Sequence, residues 1–185
     1  MTRIARHLRR FSRCFRRSED GSATVEFMVI LPIFLILFVS TFELGTVMLR
    51  QTMLDRGIDM TVRQVRLGLV VPVEHDILKD MICERAAMLP NCVSELKIEM
   101  VVRDPRNWIS MSADADCIDL ANPTQPPREF VAGAPNQMML LRACHLFLPY
   151  FTDYSMGAFL GDVIPKETGN MYALISTSSY VVEPQ

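Results

Sequence analysis

Residues 21–27 read Gly21-Ser22-Ala23-Thr24-Val25-Glu26-Phe27 and stand directly before a long apolar run. The run covers residues 27–42 and contains no charged side chain. At about 1.5 Å per residue, a helix of that length is slightly short for a hydrocarbon core of roughly 30 Å. Residues 22–25 and 44–49 extend the run, so the sequence predicts one transmembrane helix over residues 22–49.

Glu26 places a carboxylate at the point where the predicted span begins. A charge at this depth is costly in lipid, and a role in binding would explain its presence. A structural explanation is also available, because the macrodipole favours an acid near a helix N-terminus and headgroup water solvates it. Composition and position alone leave both interpretations open.

Charge is distributed unevenly along the chain. The first 21 residues carry seven arginines against two acids, a formal charge of +5, whereas residues 22–185 carry 12 Lys and Arg against 19 Asp and Glu, or −7. Arginines beside a first span stay on the cytoplasmic side of a membrane. We therefore expect residues 1–21 to form a cytoplasmic basic leader and residues 71–185 to form a domain outside the cytoplasm.

The basic and apolar N-terminus has two alternative interpretations. Arginine clusters bind nucleic acid, but an apolar span follows this cluster at once, so we expect no nucleic-acid partner. A secretory signal peptide has the same layout, but the sequence after Leu37 offers no small-residue cleavage site. Cleavage behind the span is therefore not expected.

The helical pattern continues beyond the span and then gives way to strand patterns. Apolar residues recur at steps of three and four through residues 50–70, which predicts an amphipathic continuation of the first helix, while Pro32 should bend the helix inside the span. Further elements are predicted as a second helix at residues 73–89, a half-buried strand at 96–103, strands at 138–150 and 170–182, and a short helix at 152–163. The expected fold is α+β, with the long N-terminal helix packed on a small antiparallel sheet domain that contains the second helix.

Residues 104–137 are rich in Pro, Asn and Asp and predict a long loop. A loop of this length is unusual and suits either recognition or partial disorder. Trp108, the only tryptophan, is interpreted as an anchor that holds this loop on the core.

Four cysteines follow the span, and their even number on the outer side of a membrane predicts two disulfides. Three pairings are possible, and the sequence does not choose among them. The helix-turn between Cys83 and Cys92 favours that pair, which leaves Cys117 with Cys144.

Motifs for metal binding or catalysis are absent from the sequence. The cysteines lack Cys-x-x-Cys spacing and the three histidines are scattered. Asp114, Asp116 and Asp119 lack the glycine and the distal glutamate of a calcium loop and are interpreted as a solvated turn. No nucleophile elbow, zinc-protease motif or phosphate-binding glycine loop occurs. We expect no metal, no cofactor and no enzymatic activity.

A recognisable pattern runs from Gly21 to about Gly68. Its matching residues are Gly21 with Glu26-Phe27, Leu31-Pro32, Glu43-Leu44-Gly45, Arg50-Gln51, and the pair Arg63 and Arg66. The pattern resembles the N-terminal region of TadE-like proteins, the minor pilins or pseudopilins of the tight-adherence (Tad/Flp) pilus, a branch of the type IV pilus systems. The tail at residues 179–184 is similar to the way many TadE-like chains end. The resemblance implies a pilin-like arrangement of the fold.

The same resemblance implies proteolytic processing and assembly. A prepilin peptidase would cut after Gly21, so that the mature chain starts at Ser22 with Glu26 fifth and Phe27 sixth. The new amine and the Glu26 carboxylate would then lie on one helix face and attract each other at the membrane edge, within one subunit or between neighbours. Glu26, Pro32 and Glu43 are the candidate assembly residues.

The implied partners are the prepilin peptidase, a sister pseudopilin, the major pilin and the inner-membrane pilus platform. The implied location is the inner membrane, crossed once, with incorporation into the pilus also open. Major pilins of such systems are much shorter, so the outer domain favours a minor subunit. The alternative is a permanently membrane-tethered periplasmic binding module that recognises its ligand through the Pro-rich loop at residues 104–137.

Overall fold

The computed structural model describes residues 22–118, 124–150 and 171–184. In chain order the helices are α1 (Ser22–Arg66), α2 (His75–Arg85) and the single turn α3 (Cys92–Glu95), and the strands are β1 (Leu96–Arg103), β2 (Met138–Phe147) and β3 (Tyr172–Val181). The predicted α+β class is confirmed. The short helix predicted at residues 152–163 lies outside the described residues.

The chain divides into two units, residues 1–41 and residues 42–185, and the boundary falls inside α1. In the first unit the described residues form an uninterrupted stretch of helix with large apolar side chains in open contact with the surroundings. Met28 is 65% exposed and Phe38 is 61% exposed. Among the described residues, α1 is the one helix that is long and apolar enough to cross a membrane.

The second unit is built on one stripe of α1. Leu54, Ile58, Val62 and Val65 follow one another at steps of three or four and are at most 7% exposed. Such steps return to the same face of a helix, so the four side chains form one continuous surface. This surface lies in a single apolar cluster with residues of all three strands, among them Ile98, Met139, Leu141 and Leu174. Each fully buried side chain of this size stabilises the fold by roughly 1.5–3 kcal/mol relative to an exposed one.

β2 is the central strand of an antiparallel sheet with the order β1-β2-β3. The register places Leu96 opposite His145 in β2, and His145 opposite Leu174 in β3. Successive side chains point to opposite faces of a strand, yet Lys97 and Glu99 of β1 are as buried as the apolar residues between them, at 4% exposed each. The prediction of a half-buried β1 was therefore wrong, because the second face of the sheet is covered at this strand as well.

α2 is shorter than the helix predicted at residues 73–89. It ends at Arg85, since Ala86 already has a non-helical backbone and Met88 lies in the left-handed region with φ of 76°. Asn91, also left-handed with φ of 49°, precedes α3. The apolar pattern extended beyond Arg85, but backbone geometry ends the helix there.

α1 and α2 approach each other closely at Gly57. A Cβ atom added to Gly57 would lie 2.9 Å from the carbonyl oxygen of Ile82 and 3.0 Å from the Cβ of Ala86. The contact on one side is backbone, so a larger residue at position 57 has no flexible side chain to displace. Glycine is required here by the spacing of the two helices.

Gly57→Ala is expected to destabilise the protein by about 1–3 kcal/mol, because the added methyl group forces the two helices apart despite the better helix propensity of alanine. Gly45→Ala is the matched control, since a Cβ there meets no atom within 4 Å. That control should be neutral or stabilising by up to about 1 kcal/mol. Urea unfolding of the detergent-solubilised protein measures both changes. Equal unfolding free energies for the two variants would contradict the close approach.

Candidate functional site

The N-terminal end of α1 carries most of the predicted processing and assembly residues. Gly21 lies outside the described residues, and Ser22 is the first residue of α1. Glu26 and Phe27 are both exposed. Ser22 and Glu26 are four residues apart in a helix and therefore lie on the same face. This end of α1 thus presents a carboxylate next to an uncovered apolar surface.

Pro32 lies inside the apolar part of α1, and the helix continues across it from Ser22 to Arg66. Proline has no N–H to donate, so one hydrogen bond of the helix is missing at this turn. The turn is consequently a point of lower helix stability within an otherwise regular segment.

Glu43 has an environment opposite to that of Glu26. Its side chain is 1% exposed, and it takes part in an interaction within its own chain. A carboxylate in this position is not presented to another molecule, so a contact between Glu43 and a partner subunit would first require the side chain to leave its buried site.

Arg50 is held between two aromatic rings. Its guanidinium carbon lies 4.8 Å from the ring centre of Phe147 and 5.0 Å from that of Tyr150, and the residue is 7% exposed. Cation–π attraction from both rings stabilises the buried charge, while Nη1 has no hydrogen-bond partner among the residues that the structure describes. Sequence reasoning included Arg50 only in the family pattern. The aromatic partners lie far along the chain, and no local pattern could have pointed to them.

Both favoured disulfides are present in the structure. Cys83 and Cys92, with Cα atoms 5.6 Å apart, link α2 to α3. Cys117 and Cys144, with Cα atoms 5.2 Å apart, link the long loop to the central strand β2. The first bridge therefore closes the turn between α2 and α3, and the second fastens the long loop to the sheet.

Two buried ion pairs cover the second face of the sheet. Lys97 Nζ donates to Asp116 Oδ1 at 3.0 Å, and Arg142 Nε donates to Glu99 Oε2 at 2.6 Å. All four residues are at most 7% exposed. Buried charges are tolerated when they are paired and their remaining hydrogen-bonding groups are satisfied. The interpretation of Asp116 as part of a solvated turn was wrong, because this carboxylate is a buried ion-pair partner. Asp119 lies outside the described residues.

Backbone groups of the loop complete this network. Arg142 donates from Nη1 to the Ser112 carbonyl at 2.7 Å and from Nη2 to the Asp114 carbonyl at 3.0 Å. The backbone N–H of Arg128 donates to Asp116 Oδ2 at 2.7 Å. Hydrogen bonds thus hold the loop on the sheet in both of its described parts, residues 104–118 and residues 124–137.

Trp108 does not anchor the loop, contrary to the interpretation from sequence. It is 54% exposed, and the neighbouring Ile109 is 63% exposed. The turn that precedes them is held by a hydrogen bond from the Arg106 N–H to Asp104 Oδ1 at 2.9 Å. The charged network, rather than the tryptophan, holds the loop on the sheet.

The described histidines make structural contacts. His75 Nε2 accepts a hydrogen bond from the N–H of Ile98 at 3.3 Å, and its Nδ1 lies 3.0 Å from Asp76 Oδ1. This hydrogen bond with His75 lowers the pKa of Asp76. Within the described ranges, no group of three or more His, Cys, Asp or Glu residues is placed to hold a metal ion.

His145 is fully buried on β2, opposite Leu96 and Leu174. Its Nε2 lies 3.1 Å from the Pro90 carbonyl oxygen and donates to it. Glu95 Oε2 is 4.0 Å away. Burial lowers the pKa of His145, and the positive charge of Arg50 lowers it further, although the bond to Pro90 acts in the opposite direction. The imidazole is therefore neutral near neutral pH.

Comparison with known proteins identifies one segment. Residues 21–63 match the model of the family described as TadE-like protein. The match begins at Gly21 and otherwise lies within α1, where it includes Glu26, Pro32, Glu43 and Arg50. The resemblance expected from the sequence is confirmed for this segment. No curated protein and no solved structure is significantly similar to the chain.

Folding stability is expected to fall as the pH drops below about 6.5, the ordinary value for histidine. Because the pKa of His145 is lowered in the folded state, the unfolded chain binds the extra proton first, and the free energy of unfolding decreases by up to about 1.4 kcal/mol per pH unit. His145→Gln keeps a donor for the Pro90 carbonyl but does not titrate, so its stability should depend less on pH in this range. Urea unfolding between about pH 4.5 and 7.5, from about two units below that value to about one unit above it, measures both slopes. Identical slopes for the two proteins would contradict this role of His145.

Proposed function

We propose that this chain, which is TadE-like over residues 21–63, is a membrane-anchored minor pilin or pseudopilin required for assembly of a tight-adherence type IV pilus. It acts by packing its helix against other subunits and not as an enzyme. The single observation that carries the proposal is the exposed apolar stretch of α1 with the Glu26 carboxylate four residues after Ser22, inside the matched segment.

The chemistry of the N-terminus supports processing after Gly21. Cleavage there by a prepilin peptidase creates an α-amine on Ser22, on the same helix face as Glu26. The attraction between an ammonium and a carboxylate grows as the local dielectric falls, so it is strong where the span meets the membrane edge. When the Glu26 carboxylate binds the amine of a neighbouring subunit, the pair sets the axial stagger of packed helices.

Pro32 and Glu43 have different roles in this proposal. The helix has one hydrogen bond fewer at Pro32, and lipid offers no replacement donor to the carbonyl that is left free. This turn can therefore loosen or straighten when the helix moves from lipid into a filament. Glu43 is buried in the second unit, so its contribution to assembly is indirect. We propose that it acts from within its own chain, through the interaction that it makes there.

The disulfides and the charge distribution support an orientation with the second unit outside the cytoplasm. Disulfides persist in oxidising compartments such as the periplasm, and both bridges lie in residues 83–144. The arginines of residues 1–21 are retained in the cytoplasm. The protein accordingly crosses the inner membrane once. Its partners are the prepilin peptidase, a sister pseudopilin, the major pilin and the inner-membrane platform.

A second candidate is a permanently tethered periplasmic binding module. The observation that favours it is the exposure of Trp108 and Ile109 on the loop, since aromatic and apolar residues of this kind often anchor protein contacts. In this alternative the span is only a tether and remains joined to residues 1–21. The mass of the mature protein distinguishes the two candidates.

Gly21→Ala should block maturation, because the peptidase of this pilus system cuts after a glycine. Intact-mass measurement of the membrane-extracted wild type is expected to show a chain that starts at Ser22, whereas the variant keeps residues 1–21. Gly45→Ala, which leaves residues 21–27 unchanged, is the matched control and should be processed normally. A wild-type chain that still begins at Met1, or normal processing of Gly21→Ala, would count against the pilin role.

Glu26→Ala should leave membrane insertion intact, since it removes a charge from the membrane edge, while pilus formation is lost. Membrane fractionation and electron microscopy of surface pili measure the two effects. Glu74→Ala removes an exposed acid outside the span and serves as the control that should retain pili. Normal pili in cells that carry Glu26→Ala would refute the stagger mechanism, even if processing after Gly21 were confirmed.

A further inference from the structure

A cleft beside the Cys83–Cys92 disulfide carries a further inference. It lies between α2 and α3, has a volume of about 650 Å³ and opens to solvent. Asp80 and Glu84 of α2 line it together with the disulfide and Val93 of α3. Among the described residues that line the cleft, no lysine or arginine balances the two carboxylates. The cleft, called here the acidic cleft, therefore attracts a cationic group.

The two carboxylates of the acidic cleft are unpaired. Asp80 and Glu84 are exposed, and neither forms an ion pair with another described residue. They are four residues apart on α2, and like charges at this spacing destabilise a helix. Glu84 also lies in the last turn of α2, near the negative end of the helix dipole. A cation bound between the two side chains would offset both unfavourable terms.

The exposed side of α1 in the second unit carries the complementary charge. Arg56 and Arg63 are exposed and seven residues apart, so they lie on one face, about 10 Å from each other along the axis. Neither arginine forms an ion pair with another described residue, whereas Arg66 is bonded to Glu183. Arg56 and Arg63 form what we call the arginine stripe. Asp59 lies at its edge, so the stripe keeps a net positive charge.

The arginine stripe and the acidic cleft of one chain face away from each other. α1 meets α2 at Gly57, close to the backbone of Ile82. Ile82 is fully buried, and Asp80 and Glu84 lie on the opposite, exposed side of α2. The arginine stripe likewise lies opposite the buried stripe of α1. Two molecules are therefore needed to bring the two surfaces together.

We propose that the acidic cleft of one copy of this chain binds the arginine stripe of a second copy. A guanidinium group donates to two carboxylate oxygens in a fork, which suits the paired acids Asp80 and Glu84. Its alkyl stem packs on the disulfide and on Val93, which is 52% exposed. Met60, 44% exposed between the two arginines, adds apolar contact. The second copy is the occupant because this chain carries both complementary surfaces.

The two surfaces of the contact are different, so the contact is heterologous. Each copy in a row then uses its stripe on one side and its cleft on the other, and such a row either closes into a ring or continues as a filament. All the residues involved lie in the second unit. The inference therefore goes beyond the proposed function and does not depend on processing after Gly21.

Site-specific photo-crosslinking tests the contact in the purified full chain in a neutral detergent. A benzophenone amino acid at position 60 should form an adduct with residues 80–94 of a second copy. The double variant Arg56→Glu/Arg63→Glu makes both surfaces negative, and Asp80→Arg/Glu84→Arg makes both positive. Each should reduce the adduct by at least about tenfold, because like charges then face each other.

A mixture of the two double variants provides the decisive measurement. An unchanged stripe then meets an unchanged cleft, and a reversed stripe meets a reversed cleft, so the adduct should return to near the wild-type amount. A single chain that carries all four substitutions should also recover it. Binding of the arginines to lipid or detergent would show no such recovery.

Arg106→Glu and Asp114→Arg are the matched controls, since they reverse exposed charges on the long loop and should leave the adduct unchanged. Thermal unfolding verifies that each variant is folded. Arg63→Gln and Glu84→Gln replace any variant that is not, with an expected decrease of about two- to fivefold each.

Three results would overturn the proposal: no adduct between copies, an adduct that maps outside residues 80–94, or no recovery in the mixture. The adduct is measured between purified chains in the absence of pili. Its loss would therefore not count against the pilin role, and an unprocessed N-terminus would not count against this contact.

Discussion

The packing of one stripe of α1 against the first face of the sheet is the interaction on which the rest of the second unit depends. Leu54, Ile58, Val62 and Val65 are nearly inaccessible to solvent and meet the inward residues of every strand. The close approach of α2 at Gly57 and the position of Arg50 beside Phe147 both follow from this placement of α1. α1 therefore begins with exposed apolar residues, and its later residues supply the stripe on which the core is built.

The second face of the sheet is built by a different kind of force. Lys97, Glu99, Asp116 and Arg142 are buried charges, and each has an oppositely charged partner within hydrogen-bond distance. Removing one member would leave an uncompensated charge away from water, which costs more than the intact pair contributes to stability. Such a network specifies one position for the loop, and the Cys117–Cys144 bridge restricts the loop to the same place. The ion pairs therefore contribute more to fixing the position of the loop than to the net stability of the fold.

The two units also differ in how far their own residues cover their apolar side chains and pair their polar groups. In the described part of residues 42–185, apolar side chains from the helices and strands largely cover one another, and Arg142 donates to two carbonyl groups of the covering loop. In the first unit the exposed apolar side chains of α1 have no cover from the described chain. Lipid or another apolar helix is the environment that suits this surface, which agrees with the TadE-like match over residues 21–63.

The sequence by itself determined the elements with strong periodicity and the character of the N-terminus. The uncharged run after Glu26 predicted the long helix, the alternation in residues 96–103 predicted β1, and the short spacing between Cys83 and Cys92 favoured their disulfide. These features depend on neighbours along the chain. Tertiary structure alone decided the burial of Glu99 and Asp116, the aromatic stack around Arg50, and the exposure of Trp108. Each of these depends on partners that lie far apart in sequence, and whether a charge is buried or solvated is decided only when the fold brings its partner within hydrogen-bond distance.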